Sequence, residues 1–293
     1  MNYLYYPGCS LTGTAREYNT ATAALMTAMG AQLTELDDWT CCGASAASAT
    51  SRLLTDALPA VNLAIAESMD PDQAILVPCS ACYLNLKRVE NEVYDDPQRL
   101  AAVNALLAEN DLQLKGQARP RHLLDVLARD VGAAAFRERV TRNLAGFAIA
   151  PYYGCQCLRP YPVFDDPESP TSMAPLIEAT GASVHPWTEG AKCCGASHMN
   201  TKMPVALERV YRILRAARGA DAVVTVCPMC QMNLEAYQDK IASRYGEDPS
   251  ITILYLPQLI GVAIGLSARE VGIPLNLAVT REFQQKMALA VGM

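Results

Sequence analysis

Two stretches decide the fold: Ala74-Ile75-Leu76-Val77-Pro78-Cys79-Ser80-Ala81-Cys82-Tyr83-Leu84-Asn85-Leu86 and Ala222-Val223-Val224-Thr225-Val226-Cys227-Pro228-Met229-Cys230-Gln231-Met232-Asn233-Leu234. Each opens on a short, continuous apolar run bounded by a turn signal, the pattern of a strand buried on both faces. Each run delivers a Cys-x-x-Cys to the strand end, where a helix is expected to start. An Asn-Leu pair stands at the same offset after both.

Working outward, the flanks repeat too. Tyr5-Tyr6-Pro7-Gly8-Cys9 is echoed by Pro151-Tyr152-Tyr153-Gly154-Cys155, and Cys41-Cys42-Gly43-Ala44-Ser45 by Cys193-Cys194-Gly195-Ala196-Ser197. Three matched landmarks in the same order mark an internal duplication. The boundary falls near residues 143–147, which divides the chain into 1–145 and 146–293. The period is too long for a solenoid repeat, so two pseudo-symmetric domains are expected.

Each half shows the same alternation. An opening strand (Tyr3–Tyr6; Phe147–Tyr153) runs into a Gly-Cys turn. A helix follows (Ala15–Met29; Ser172–Thr180), stopped by Gly30 or Gly181. A short strand (Gln32–Leu36; Ser183–Trp187) leads to the Cys-Cys-Gly turn. A second helix (Leu58–Met69; Pro204–Arg218) carries a proline near its start and precedes the buried strand. Arg121–Leu127 and Leu254–Ile260 correspond as a closing apolar helix. The expectation is an α/β fold in which each domain holds a small, largely parallel sheet flanked by helices. The cysteines then lie at strand ends and helix starts, the ligand-binding side of such sheets. Helix N-termini there favour thiolates and bound anions.

The 293 residues are 51% apolar and 18% charged, which excludes disorder. A net charge of −6 leaves no electrostatic footprint for nucleic acid. Leu254–Leu266 is too short to span a bilayer, and Met1–Tyr5 has no signal-peptide pattern. The expectation is therefore a soluble, cytoplasmic protein without a transmembrane segment.

Eleven cysteines in a reducing compartment point to metal ligands rather than disulfides. Several readings stay open on the residues alone. A Cys-x-x-Cys redox pair ignores the other three cysteines of each half. A tetrahedral zinc site takes four thiolates, and so does a cubane iron–sulfur cluster. Five cysteines per half, two of them adjacent, suit a larger and less symmetric cluster.

The twice-repeated arrangement, with glycine after each Cys-Cys pair, resembles the CCG-domain family and the HdrB-type chains of heterodisulfide reductases from about residue 3 to residue 265. The resemblance implies two noncubane [4Fe–4S] clusters. Carried over, one is bound by Cys9, Cys41, Cys42, Cys79 and Cys82, the other by Cys155, Cys193, Cys194, Cys227 and Cys230. It implies an oxidoreductase that reduces, or forms, a disulfide or persulfide between the clusters. Its implied partners are an HdrC-like ferredoxin subunit and an HdrA-like flavoprotein. Where methanogen members of the family are expected to carry histidine, this chain has Gln156, followed by an extra Cys157; the run Tyr153–Pro160 resembles bacterial relatives. Those relatives include the subunits of sulfur-oxidising complexes and the electron-transfer or anchoring subunits of succinate or fumarate:quinone oxidoreductases, which supply the alternative reading.

Two residues from Cys155, Cys157 would share its face on an extended chain, although a buried packing role is the simpler reading. Gln156, Cys157 and His198 are the candidate catalytic side chains beside the clusters. Lys192 and Arg159 are candidate positive charges near an anionic centre, with surface solvation as the alternative. Ser45 and Ser197 are expected to cap helices. Trp39, Trp187 and His122 are expected in the core, and Tyr3, Tyr5 and Tyr6 as strand residues.

Overall fold

The structure, a computed structural model, describes residues 1–44 and 46–291; Ser45 lies outside them. Two four-stranded sheets are present among the described residues, and every neighbouring pair of strands is parallel. The first holds β1 (Asn2–Tyr5), β2 (Gln32–Glu35), β3 (Ile75–Val77) and β4 (Pro120–His122) in the order β2-β1-β3-β4. The second holds β5 (Ala148–Tyr152), β6 (Ser183–Val184), β7 (Ala222–Thr225) and β8 (Thr252–Tyr255) in the order β6-β5-β7-β8. The duplicated α/β architecture expected from the sequence is thus present. Strands β3 and β7 are buried along their whole length, as their unbroken apolar runs require, while the edge strand β2 is largely exposed.

The closing segments correct the sequence reading. Arg121–Leu127 is not one helix: β4 runs to His122 before the helix Leu123–Val126 begins, and β8 likewise runs to Tyr255 before Leu256–Ala263. Pairing with the buried central strands satisfies backbone groups that a helix start would leave open. The helix expected from Leu58 begins at Arg52, capped by Ser51, whose Oγ accepts from Leu54 N. Pro59 therefore sits inside the helix and forgoes a bond to the Thr55 carbonyl. In the second half the expectation holds, with Pro204 in the first turn of Met203–Ala216.

One apolar core runs through both halves, joining Leu76, Val77 and Leu124 to Ile149, Leu254 and Leu259. Helix Arg16–Ala28 of the first half lies directly on helix Leu256–Ala263 of the second. Among the described residues no helix is long and apolar enough to cross a membrane.

Candidate metal centres

All ten repeated cysteines gather beyond the carboxyl ends of the two sheets. Cys9 and Cys155 follow β1 and β5, the Cys-Cys pairs follow β2 and β6, and the Cys-x-x-Cys motifs follow β3 and β7. Cys79 and Cys227 are the N-caps of helices Ser80–Glu92 and Pro228–Ala236, so free N–H groups of a first turn face each cysteine set. The Gly-Cys turns require glycine on two counts. Gly8 and Gly154 adopt φ +70° and +71°, and a Cβ on them would stand 2.7 Å from Cys82 Sγ and 2.9 Å from Cys230 Sγ.

The sulfurs lie close together. Cys9 and Cys41 are 3.8 Å apart, Cys42 and Cys82 3.4 Å, and Cys194 and Cys230 3.6 Å. Within these groups some thiols are strongly acidified. Hydrogen bonding with Cys41 and Cys82, together with the Ala44 N–H and the Asn85 amide, holds Cys42 down to about 3. Cys155, the Gly195 N–H and the nearby charges of Arg209 and His198 bring Cys193 to about 5. Cys230, backbone N–H groups and Ser80 bring Cys227 to about 7. Their partners Cys41, Cys82, Cys155 and Cys230 are pushed up, because one proton shared between two sulfurs settles on one. Cys9, Cys41 and Cys193 reach solvent, while Cys42, Cys79, Cys82, Cys194, Cys227 and Cys230 are buried.

Two pairs of supporting residues escaped the sequence reading. The Tyr6 hydroxyl donates to Thr40 O at 2.7 Å and the Tyr152 hydroxyl to Lys192 O at 2.6 Å, in both cases the carbonyl just before the Cys-Cys pair. Trp39 and Trp187 pack edge-on against these tyrosines. The Asn85 amide donates to Cys42 O at 3.2 Å and Cys42 Sγ at 3.5 Å; Asn233 does the same at Cys194, at 3.4 and 3.8 Å. The signal was available, since both types recur at fixed offsets from the cysteines.

The two Cys-x-x-Cys segments approach one another across the interface. Ala81, from the first Cys-x-x-Cys, lines a pocket of about 60 Å³ with Cys155, Cys193, Cys194, Cys227 and Cys230. The Tyr18 hydroxyl lies 3.1 Å from Pro78 O and 3.2 Å from Val226 O, the carbonyls preceding Cys79 and Cys227. Ser80 Oγ also donates to Val226 O, at 3.1 Å.

The remaining candidates divide. Gln156 lines the same pocket. Cys157 does not share the face of Cys155, because the chain turns at 155–157 instead of running extended. Its buried Sγ donates to Tyr153 O at 3.3 Å, and burial pushes this thiol up, the environment of a packing cysteine. His198 is exposed; its charge reaches Cys193, but its side chain does not line the pocket. Arg159 bonds Pro167 O, Ala191 O and Glu168, which leaves Lys192 as the more exposed charge beside Cys193. Ser197 lies within the turn Ala196–His198, whose N-cap is Gly195, so it caps no helix; it lines the pocket instead.

Among the described residues no group of three or more His, Cys, Asp or Glu is disposed around a single ion. Five soft thiol donors per site, partly deprotonated and faced by a helix N-terminus, fit the donor chemistry of an iron–sulfur cluster.

Comparison with known proteins agrees with this picture. The model of a cysteine-rich domain family, CCG, matches residues 3–87 and again 149–235. The chain is 33% identical over 279 residues to the 8-methylmenaquinol:fumarate reductase membrane anchor subunit of Wolinella succinogenes, covering 94% of this chain and 96% of that one. It is 32% identical over 239 residues to the HdrB chain of the ferredoxin/F(420)H(2)-dependent CoB-CoM heterodisulfide reductase of Methanosarcina acetivorans, covering 79% and 78%. It is 26% identical over 283 residues to an HdrB-like heterodisulfide reductase protein of Archaeoglobus profundus, covering 92% and 93%. A crystal structure of a hypothetical protein from Helicobacter pylori shares the fold, with a TM-score of 0.76 and 14% identity. The match covers 95% of this chain and 52% of that one.

Proposed function

Since the chain belongs to the cysteine-rich CCG domain family, we propose that it is the iron–sulfur subunit of a heterodisulfide-reductase-like complex, an oxidoreductase acting on a disulfide or persulfide. In this reading Cys9, Cys41, Cys42, Cys79 and Cys82 hold one noncubane [4Fe–4S] cluster. Cys155, Cys193, Cys194, Cys227 and Cys230 hold the other, and the chain divides into cluster-binding domains 1–145 and 146–293. The observation that carries it is the approach of the two Cys-x-x-Cys segments across the interface, where Ala81 of the first lines the pocket of the second cysteine set and Tyr18 reaches the carbonyls before both motifs.

Cleaving a disulfide takes two electrons and two protons and yields two thiols. When bound, the two clusters would supply one electron each. The chain's own contribution is position and dielectric. Tyr6 and Tyr152 fix the carbonyls before the Cys-Cys pairs, and Asn85 and Asn233 bind the second cysteine of each pair. Buried Cys42, Cys82, Cys194 and Cys230 shield one side of each set from bulk solvent, while Cys9, Cys41 and Cys193 reach it. The proposed partners are an HdrC-like ferredoxin subunit and an HdrA-like flavoprotein, in the cytoplasm.

A second reading has its own support in the 33% identity to the Wolinella fumarate reductase anchor subunit across nearly its whole length. The same clusters would then relay electrons within a succinate or fumarate:quinone complex. Anaerobic purification from the native host separates the two. The sulfur reading expects ~8 irons per chain, co-purified flavoprotein and ferredoxin-like subunits, and reduction of a disulfide or persulfide. Co-purification with succinate dehydrogenase-type subunits and no activity on sulfur compounds would establish the relay, and zinc in place of iron would discard both.

A further inference from the structure

Four of the buried polar atoms that lack a partner gather about the interface, one from the first half and three from the second. The Tyr255 hydroxyl, Thr22 Oγ1, Thr225 Oγ1 and Gln231 Oε1 find no hydrogen-bond partner among the described residues, and their residues are 0–1% exposed. An orphaned buried group costs about 1–3 kcal/mol, so clusters of them are ordinarily served by ordered water. These four are neighbours in the fold. Thr225 and Tyr255 are register partners of β7 and β8, and the Gln231 amide donates to Ile253 O on β8 at 3.0 Å. Thr22 lies one turn along its helix from Tyr18, whose ring stacks on Tyr255 at 4.0 Å.

Two buried carboxyls border the same place. Glu17 lies under Gly272, where a Cβ would fall 2.9 Å from its Cα. Glu235 Oε1 accepts from Ala278 N at 3.4 Å. The negative charges of both carboxyls act on Tyr255, and that of Glu17 acts on Glu235. Tyr18 and Cys227 are the other titratable groups acting on Tyr255. At the inner end stands the Tyr18 hydroxyl, between the carbonyls that precede Cys79 and Cys227.

We propose that Glu17, Glu235, Thr22, Thr225 and Tyr255 line a chain of buried waters that carries protons from beneath the 272–278 loop to Tyr18 and the junction of the two cysteine sets. The inference rests on the sulfur-reducing reading. A disulfide R–S–S–R′ plus two electrons and two protons gives RSH and R′SH; the electrons come from the partner iron–sulfur carrier and the protons by this route. Burial, reinforced by the charge of Glu17, pushes Glu235 up to about 7, so its carboxyl holds an exchangeable proton near neutrality.

The test has two arms on the anaerobic holoprotein. The first needs no turnover. A high-resolution crystal structure should show ordered waters bonded to Tyr255 Oη and Thr225 Oγ1 and leading to Glu235. Infrared difference spectra should show a protonated carboxyl band that disappears in Glu235→Gln. A dry interior or no such band overturns the route. The second arm is kinetic. Tyr255→Phe removes only an unpartnered hydroxyl, so iron content should stay unchanged while disulfide or persulfide reduction slows about 10²-fold, the lower end for positioned proton transfer. Glu235→Gln should remove the inflection near neutral pH. Full rates and an unchanged pH profile in both variants overturn the proposal. Absence of any sulfur activity in the unmodified protein would instead fell the functional reading, and the waters and carboxyl band would still report on the route.

Discussion

Tyr18 of the first half lies flat on Tyr255 of the second, ring centroids 4.0 Å apart and planes 2° from parallel. The relationship has a pseudo-symmetric counterpart: Phe164 of the second half lies over His122 of the first, at 5.9 Å and 8°. Tyr18 and Phe164 stand at the same offset after Cys9 and Cys155, and His122 and Tyr255 are the last residues of β4 and β8. Each half thus inserts an aromatic ring over the end of the other's outer strand, and the two stacks fix how the cysteine sets face one another.

Removing one of these rings should loosen the interface. Tyr18 is fully buried, and its truncation to alanine should cost about 3–5 kcal/mol of unfolding free energy. Anaerobic urea denaturation measures it. Tyr18→Phe should cost far less, about 1 kcal/mol, because Val226 O keeps the Ser80 hydroxyl and only Pro78 O loses a donor. Equal losses in the two variants would mean that the hydroxyl, not the ring, holds the halves together.

The turn glycines should be as demanding as the ligands they precede. Gly154→Ala places a methyl 2.9 Å from Cys230 Sγ on a backbone with φ +71°. The sulfur must move or the turn must open, at a cost of about 1–3 kcal/mol. Iron content should fall toward half, with loss confined to the second site, and Gly8→Ala should do the same at the first. Full iron loading in Gly154→Ala would show that Cys230 is not held where the inferred ligand set needs it.

Much of this arrangement was legible in the sequence. The buried runs before each Cys-x-x-Cys became β3 and β7, and the repeat became two sheets of identical order. What escaped has a common cause. The outer strands β4 and β8 are short, and their residues also read as helix; only pairing with β3 and β7 decides between the two. Pro59 misplaced a helix start because proline favours a first turn, whereas tertiary burial holds it inside Arg52–Met69. Strand periodicity puts Cys157 on the face of Cys155, but the strand ends at Tyr152. Tyr6 and Asn85 stand out by recurring at fixed offsets from the cysteines, but their partners at residues 40 and 42 are contacts that periodicity does not encode.

His122 makes stability depend on pH in a direction that can be derived. Its Nδ1 accepts from Leu124 N at 3.1 Å, so the proton of the neutral ring resides on Nε2, which donates to Ser80 Oγ at 3.1 Å. Burial pushes its pKa down to about 3, against ~6.5 in the unfolded chain. Below ~6.5 the unfolded state binds a proton that the folded state refuses. The stability present above that pH should therefore fall by about 1.4 kcal/mol per pH unit as acid is added. Unfolding free energies of the wild type and His122→Gln, measured across this range, should differ in slope, with the variant flatter. Parallel slopes would assign the acid sensitivity to other groups.

The cysteines themselves separate ligands from bystander. Cys42 is the most acidified thiol of its set, bonded by Cys41, Cys82 and Asn85, so serine there removes the thiolate on which that network converges. Cys42→Ser should lose the first centre and leave the second, which halves iron and acid-labile sulfide; Cys194→Ser should do the reverse. Cys157→Ala removes a buried thiol that donates a hydrogen bond to Tyr153 O. It should keep the full iron content and lose only about 1–2 kcal/mol of stability through a small cavity. Iron and sulfide analysis of the three anaerobic variants reads all outcomes together. If Cys157→Ala lost iron as Cys194→Ser does, Cys157 would have to join the second ligand set despite lying outside its pocket. If Cys42→Ser emptied both sites, the two centres would be coupled through the Ser80–Val226 contact at the interface and could not be loaded independently.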